Sequence, residues 1–130
     1  MKKIGIVGTR KRNTEDDFKL CEREFLRIYE DGDELVSGGC YLGADKFCEI
    51  IAKKFTIPIK IYYANWNKYG KSAGFKRNTN IAEDSDVIIA LLPKDAHSYG
   101  TEDTIKKAEK MGKSIILVPE PTKDFDPYSI

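Results

Sequence analysis

The hydrophobic residues of this chain form short apolar runs that alternate with longer segments of helical spacing. The apolar runs lie at residues 4–8, 35–36, 59–63, 87–92 and 114–118. Their length and composition are typical of buried strands. The run at 87–92 is the most apolar of the five, which predicts that it forms the central strand.

Four segments between these runs have the spacing of amphipathic helices. They lie between residues 13 and 31 and at residues 44–55, 76–84 and 101–111. Asn13 or Thr14 is the predicted N-cap of the first helix. The last helix is expected to face inward with Ile105, Ala108 and Met111. Residues 64–75 and 94–100 are predicted to be polar loops.

Strands and helices alternate without a repeat or an internal linker, and this order predicts the fold. Apolar strands joined by amphipathic helices favour a mainly parallel sheet that is covered on both faces. We therefore expect one Rossmann-like three-layer α/β domain at residues 1–118, with a five-stranded sheet, and an irregular tail at 119–130. Ligands of such sheets bind beyond the carboxyl ends of the strands, so the loops that follow the strands should share one crevice.

Composition limits the classes of function. The chain has 130 residues and a net charge of +1, so a general polyanion-binding surface is not indicated and an anion site needs local clustering. A membrane span and a signal segment are not predicted either, which indicates a soluble cytoplasmic protein. Cys21, Cys40 and Cys48 lack metal-ligand spacing and are expected to be reduced. No metal and no cofactor are predicted.

The glycine-rich stretch at residues 37–45 follows the second predicted strand and precedes a helix. Such a turn directs backbone N–H groups and the positive end of a helix dipole at one point, which suits an anion such as phosphate. It matches neither the G-x-G-x-x-G fingerprint nor a Walker A loop. The alternative is a tight turn that needs glycine only for its backbone conformation. Cys40 lies in this stretch, but a nucleophilic cysteine needs a base, and His97 is distant in sequence.

Other residues that follow strands are candidates for the same crevice. Arg10 comes directly after the first strand, where a guanidinium could bind phosphate, whereas Lys11 and Arg12 are expected to be solvated. The segment at 66–78 carries four cations and three aromatic residues, which could stack on a base and approach phosphate. Its alternative is a long loop held by Trp66 packed on the core. His97 is expected to be exposed.

Two helix starts carry further candidates. Asp45 either stabilises the start of the second helix or accepts hydrogen bonds from a ribose hydroxyl. Gly100 and Thr101 begin the last helix, where Thr101 is either a ligand contact or an N-cap. Glu102 and Asp103 supply acids to that helix's first turn.

These motifs together resemble the SLOG superfamily, the Rossmann-like group that includes the LOG phosphoribohydrolases and DprA, and more closely its YspA branch of cpYpsA-related proteins. The matching residues are Val7-Gly8-Thr9-Arg10, Ser37-Gly38-Gly39, Gly43-Ala44-Asp45, Trp66, Gly70-Lys71, Ala73-Gly74-Phe75, Lys76-Arg77-Asn78, Ala82-Glu83-Asp84-Ser85-Asp86 and Gly100-Thr101. The resemblance covers residues 4–118. It implies a pocket for a nucleotide or a nucleotide derivative at the strand ends, and a homodimer or higher homo-oligomer.

One departure from the superfamily bears on catalysis. LOG enzymes carry a motif similar to P-G-G-x-G-T-x-x-E, whose glutamate serves hydrolysis. Here the double glycine is missing, and Thr104 stands where the glutamate would be. The sequence therefore favours ligand binding, as a sensor, a sequestering protein or a pathway component.

The predicted ligand contacts are Gly8, Arg10, Ser37, Gly38, Gly39, Gly43, Asp45, Trp66, Lys71, Arg77, Asn78, Gly100 and Thr101. A first alternative is an N-glycosidic hydrolase or transferase acting on nucleoside monophosphates. It needs a carboxylate, for which Asp45, Glu102 and Asp103 are the candidates. A second alternative is DprA-like binding of single-stranded nucleic acid, which near-neutral charge disfavours.

Overall fold

The computed structural model describes residues 1–122, which form an α/β domain around one parallel sheet. The strands are β1 (Lys3–Gly8), β2 (Glu34–Ser37), β3 (Ile59–Ile61), β4 (Val87–Leu91) and β5 (Ser114–Leu117). They are ordered β3-β2-β1-β4-β5, and every pair is parallel. The predicted Rossmann-like architecture is confirmed.

The central strand is β1, so the prediction that residues 87–92 form it was wrong. Both β1 and β4 pair with a neighbouring strand on each edge and are covered by helices on both faces, so apolar side chains are favoured along both strands. Apolar content therefore could not show which of the two lies in the middle of the sheet.

Five helices connect these strands and cover the sheet. They are α1 (Glu15–Ile28), α2 (Ala44–Phe55), α3 (Trp66–Tyr69), α4 (Ala73–Asp84) and α5 (Tyr99–Lys110), with a 3-10 turn at Gly70–Ser72. Helices α1 and α2 pack on one face against Ile4 and Ile6, whereas α4 and α5 pack on the other against Val7. Successive residues of β1 thus point to opposite faces of the sheet. No helix within residues 1–122 is long and apolar enough to cross a bilayer.

The prediction of a polar loop at residues 64–75 was wrong, because this segment contains α3, the 3-10 turn and the start of α4. Asn65 caps α3 by accepting a hydrogen bond from the Lys68 N–H at 3.1 Å. Ala73 is buried and starts α4 three residues before the predicted position. Helix α3 is a single turn, too short to produce a hydrophobic period that could be detected.

The last helix also differs from its prediction. Helix α5 starts at Tyr99, and its buried side is formed by Thr101, Thr104 and Ala108. Met111 is 40% exposed, not inward-facing as predicted, because it lies at the C-cap, where the helical direction of side chains is lost. Of the predicted tail, residues 119–122 contain neither helix nor strand, and residues 123–130 lie outside the described part of the chain.

Candidate functional site

A cavity of about 630 Å³ lies beyond the carboxyl ends of the central strands. The chain leaves β1 on one side of the sheet and β4 on the other, which makes this edge the topological switch point. Ten of the predicted contacts line it, namely Gly8, Arg10, Gly38, Gly39, Asp45, Trp66, Arg77, Asn78, Gly100 and Thr101. The strand-end loops therefore converge as their positions in the sequence predicted.

Three predicted contacts do not line this cavity: Ser37, Gly43 and Lys71. Ser37 is fully buried, and its hydroxyl accepts a hydrogen bond from the Gly39 N–H at 3.4 Å. Gly43 has φ +70°, and a Cβ there would lie 2.7 Å from the carbonyl oxygen of Thr9. Lys71 is exposed on the 3-10 turn. Gly43 thus has the positive φ that the alternative prediction of a tight turn required, and its missing Cβ lets the loop approach Thr9.

The glycine loop directs its donors toward a side chain of this protein. The carboxylate of Asp45 accepts hydrogen bonds from the N–H groups of Cys40 at 3.0 Å and Gly38 at 3.4 Å. Burial raises the pKa of Asp45, and these two donors together with the charge of Arg77 offset part of that effect. A phosphate in this loop would lie beside a carboxylate, so the loop in this conformation is not an open anion cradle.

Two cations that line the cavity form no ion pair within the described residues. Arg10 and Lys11 are exposed, line the cavity and form no ion pair with any residue in the described range 1–122. Arg77 is held differently, because its guanidinium donates to the carbonyl of Gly38 at 2.9 Å and to Asn78 Oδ1 at 3.1 Å. Unpaired charge is therefore concentrated on the loop that follows β1.

Arg12 is not solvated, and that prediction was wrong. Its side chain is 4% exposed and forms an ion pair with Asp17 at 2.9 Å. Lys11 is exposed as predicted, although its position against the cavity was missed. A run of three basic residues contains no periodicity from which to tell which one turns inward.

The start of α5 supplies polar groups to the cavity. Ser98 occupies the N-cap, but its hydroxyl donates to Thr101 Oγ1 at 2.9 Å and caps no backbone N–H. The Asn78 amide donates to the carbonyl of Gly100 at 3.1 Å and to Asp103 at 3.2 Å. Asn78 is therefore occupied in joining α4 to α5, whereas the first-turn N–H groups of α5 have no side-chain cap.

Among the residues of the described range that line the cavity, Asp45 is the only carboxylate. Glu102 does not line it, because its carboxylate accepts from the Ser98 N–H at 3.1 Å and lies 3.4 Å from His97 Nδ1. Thr104 lies against the cavity and donates its hydroxyl to the Gly100 carbonyl at 3.1 Å. The carboxylate that the LOG pattern requires at that position is therefore not supplied by Glu102 or Asp103.

Sequence reasoning missed several side chains of the site. These are Lys11, Tyr63, His97 and Thr104, whereas Thr9, Cys40 and Ser98 belong to the strand-end loops that were expected to share the crevice. His97 is exposed as predicted, stacks on Tyr99 at 5.4 Å between ring centroids and also reaches the cavity. All but Thr104 belong to loops that follow strands, so the rule that collects ligands at strand ends could have found them.

The aromatic residues at the mouth of the cavity are exposed. Trp66 is 59% exposed and Tyr63 is 70% exposed, so Trp66 does not pack on the core as the loop hypothesis required. Buried thiols lie elsewhere, since burial raises the pKa of Cys21 to about 12 and that of Cys48 well above its usual value. Within residues 1–122, no cluster of three or more potential metal ligands is found.

No protein-family model matches this chain, and no curated protein is significantly similar to it.

Proposed function

We propose that this protein binds a nucleotide or a nucleotide-derived small molecule in the cavity at the carboxyl ends of β1 and β4. The observation that supports this most is that Arg10 and Lys11, two cations without an ion pair in the described part of the chain, share one cavity with two exposed aromatic rings, Tyr63 and Trp66. Cations suit a phosphate and aromatic faces suit a base. The switch point of a parallel sheet is where such ligands bind.

The electrostatics of the cavity favour one orientation of this ligand. Its phosphate would lie against Arg10, Lys11 and the uncapped first turn of α5, where positive charge is concentrated. Its hydroxyl groups would face Asp45, whose carboxylate accepts hydrogen bonds but repels an anion. The base would stack on Trp66 or Tyr63. This differs from the sequence-based hypothesis that the glycine loop itself holds the phosphate.

The same arrangement supports placing the chain in the SLOG superfamily, near its YspA branch, as a further part of this proposal. Six of the nine matching motifs contribute residues to this cavity, and Thr104 lies at the position of the LOG glutamate. The motifs at residues 70–71, 73–75 and 82–86 do not line it. Binding without turnover is favoured because Asp45, the carboxylate available in the cavity, accepts hydrogen bonds from its own glycine loop.

Nucleotide binding can be followed through Trp66, which is the only tryptophan in the chain and lies at the mouth of the cavity. Mono-, di- and cyclic nucleotides would be titrated against the purified protein, with fluorescence quenching and thermal shift as readouts. We expect at least one to quench Trp66 and raise the melting temperature. If none does, and native mass spectrometry finds no co-purified nucleotide, the proposal is wrong.

Arg10→Ala tests the orientation of the ligand. Loss of a charge-assisted hydrogen bond should weaken binding by about tenfold or more without unfolding the protein. Lys110→Ala is the matched control, because it removes an exposed charge near the end of α5, away from the cavity lining. Equal losses of affinity in both variants would refute the assigned role of Arg10.

The alternative of N-glycosidic hydrolase activity can be tested with the same purified protein. Release of base from nucleoside monophosphates, abolished by Asp45→Asn and retained in Glu102→Gln, would establish N-glycosidic cleavage with Asp45 as the functional carboxylate. We expect no release, because the cavity lining offers no second carboxylate within the described residues.

One observation favours a second candidate, the binding of single-stranded nucleic acid. Residues 50–82 contain seven lysines and arginines but no aspartate or glutamate, although the chain has 21 acidic residues. Trp66 and Phe75 are more than half exposed, and Lys76 Nζ lies 4.7 Å from the ring centroid of Tyr69. Within residues 66–77, aromatic and cationic side chains are interleaved along the chain, which is typical of single-strand binding.

Fluorescence anisotropy with a labelled oligothymidine would test this second candidate. Binding should weaken as salt increases, and Lys68→Ala combined with Lys71→Ala should reduce the slope of the salt dependence by about 1.4, which is about 0.7 for each phosphate contact. Lys106→Ala combined with Lys110→Ala is the control on an exposed face of α5. Binding that responds equally to both pairs would be non-specific, and this candidate would be rejected.

A further inference from the structure

The side chain of Arg12 joins four parts of the chain near the cavity. Its Nε donates to Asp17 at 2.9 Å, and its terminal nitrogens donate to the carbonyls of Val118 at 2.8 Å and Pro119 at 2.6 Å. A longer bond of 3.4 Å reaches the carbonyl of Leu92. The guanidinium therefore connects the loop after β1 with the start of α1, the end of β4 and the chain that follows β5.

The loop at residues 9–13 is fixed at other points as well. The Thr9 N–H donates to the carbonyl of Leu91 at 3.0 Å, and Asn13 Oδ1 accepts from the Gly43 N–H at 2.8 Å. Arg10 and Lys11 lie between these anchors with exposed side chains that line the cavity. The position of both cations thus depends on how the loop is held at Arg12.

We propose that Arg12 is a positioning residue that holds Arg10 and Lys11 in the geometry required for the ligand by fixing their loop to the segment at Val118 and Pro119. This inference rests on the proposed function of the cavity. It divides the three consecutive basic residues by role, since Arg10 and Lys11 face the ligand while Arg12 is 4% exposed and faces the protein.

Holding the loop at position 12 requires the planar guanidinium group of arginine. Arginine donates several hydrogen bonds in fixed directions, whereas a lysine ammonium is a compact charge on a flexible stem. A lysine at position 12 could still pair with Asp17 but could not hold the Val118 and Pro119 carbonyls at the same time. Arg12→Lys therefore releases the segment after β5 while it preserves the charge.

The test compares three variants, with adenosine 5′-monophosphate as the probe and Trp66 fluorescence as the readout. Arg12→Lys should weaken binding about tenfold at a temperature well below the melting temperature. Faster amide hydrogen exchange should accompany it at Thr9 and Lys11, whose N–H groups donate to Leu91 O at 3.0 Å and to Thr9 Oγ1 at 3.2 Å. Asp17→Asn removes the ion pair of Arg12 with Asp17 and one of the two acceptor oxygens of that side chain, but leaves the carbonyl bonds and the longer pair of Arg12 with Glu120 at 3.8 Å. It should lower the melting temperature and leave affinity within about twofold of wild type.

Arg27→Lys is the control for replacing a guanidinium group by an ammonium group, since Arg27 pairs with Glu24 on the surface of α1. The inference is overturned if Arg12→Lys binds the probe like wild type, or if Arg12→Lys and Asp17→Asn lose affinity in proportion to stability. If the wild-type protein binds no nucleotide, the proposed function fails instead. Hydrogen exchange at Thr9 and Lys11 then decides whether Arg12 holds the loop, and unchanged exchange in Arg12→Lys refutes it.

Discussion

A buried carboxylate near the amino-terminal end of β1 allows a quantitative prediction of stability. Asp33 accepts hydrogen bonds from the Lys2 backbone N–H at 2.9 Å, the Lys2 ammonium at 2.6 Å and the Glu30 N–H at 2.9 Å. Its side chain is 2% exposed. Burial opposes ionisation, but these donors outweigh it and lower the pKa of Asp33 from 3.8 to about 2.

This shift can be converted into a free energy of unfolding. A difference of nearly two pKa units corresponds to about 2 kcal/mol in favour of the ionised folded state. Because the folded pKa lies below the unfolded value, this stabilisation is present above about pH 4 and is lost as the pH falls toward about 2. Asp33→Asn should therefore cost about 2 kcal/mol at neutral pH, and the difference from wild type should shrink across that window.

Urea unfolding of both proteins between about pH 7 and pH 2 measures this difference directly. Asp31→Asn is the matched control, because Asp31 lies two residues away, is exposed and forms no ion pair within the described part of the chain. It should change the unfolding free energy by less than about 0.5 kcal/mol. A stability difference between Asp33→Asn and wild type that stays constant over this pH range would refute the reasoning.

Two further predictions concern packing and can be checked by the same unfolding measurements. The buried hydroxyl of Ser85 has no hydrogen-bond partner within the described residues. Ser85→Ala should therefore raise the free energy of unfolding by about 1 kcal/mol. Unchanged or reduced stability would show that the hydroxyl has a hydrogen-bond partner in solution. Gly43→Ala should cost about 2 kcal/mol or more, because its Cβ would lie 2.7 Å from the Thr9 carbonyl at φ +70°. Gly70→Ala measures the backbone part of that cost alone, because Gly70 (φ 56°, ψ −134°) has nearly the same backbone angles as Gly43 (φ 70°, ψ −144°) and open space around its Cβ position. Equal losses in the two glycine variants would show that the contact with Thr9 is unimportant.

Much of this fold could be predicted from the sequence because helix periods and helix caps depend on residues that are close together in the chain. Helix α2 was placed at its observed limits, since its apolar residues recur with the period of a helix over three turns. Thr14, one of two candidate N-caps, forms a capping box with Asp17. Short elements were missed for the same reason, because the single turn of α3 has no period to detect.

The position of the site was also predictable, although the roles of its residues were not. A parallel sheet brings its strand-end loops to one edge, so Arg10, Trp66 and Thr101 could be placed near each other before their contacts were known. That Asp45 occupies the N–H groups of the glycine loop follows only from how the loop folds back onto the start of α2. The sequence motif is the same for an open anion cradle and for a loop closed by its own carboxylate.

Sequence alone determined the α/β class of this protein and the edge of the sheet where its loops converge, because periodicity and the alternation of strands and helices along the chain can be read from the residues themselves. Tertiary structure alone decided which of the consecutive cations Arg10, Lys11 and Arg12 faces solvent and which is buried. The carbonyl that accepts a hydrogen bond from Arg12 belongs to Val118, 106 residues further along the chain. A contact over that distance depends on the completed sheet, which brings the ends of β1, β4 and β5 together.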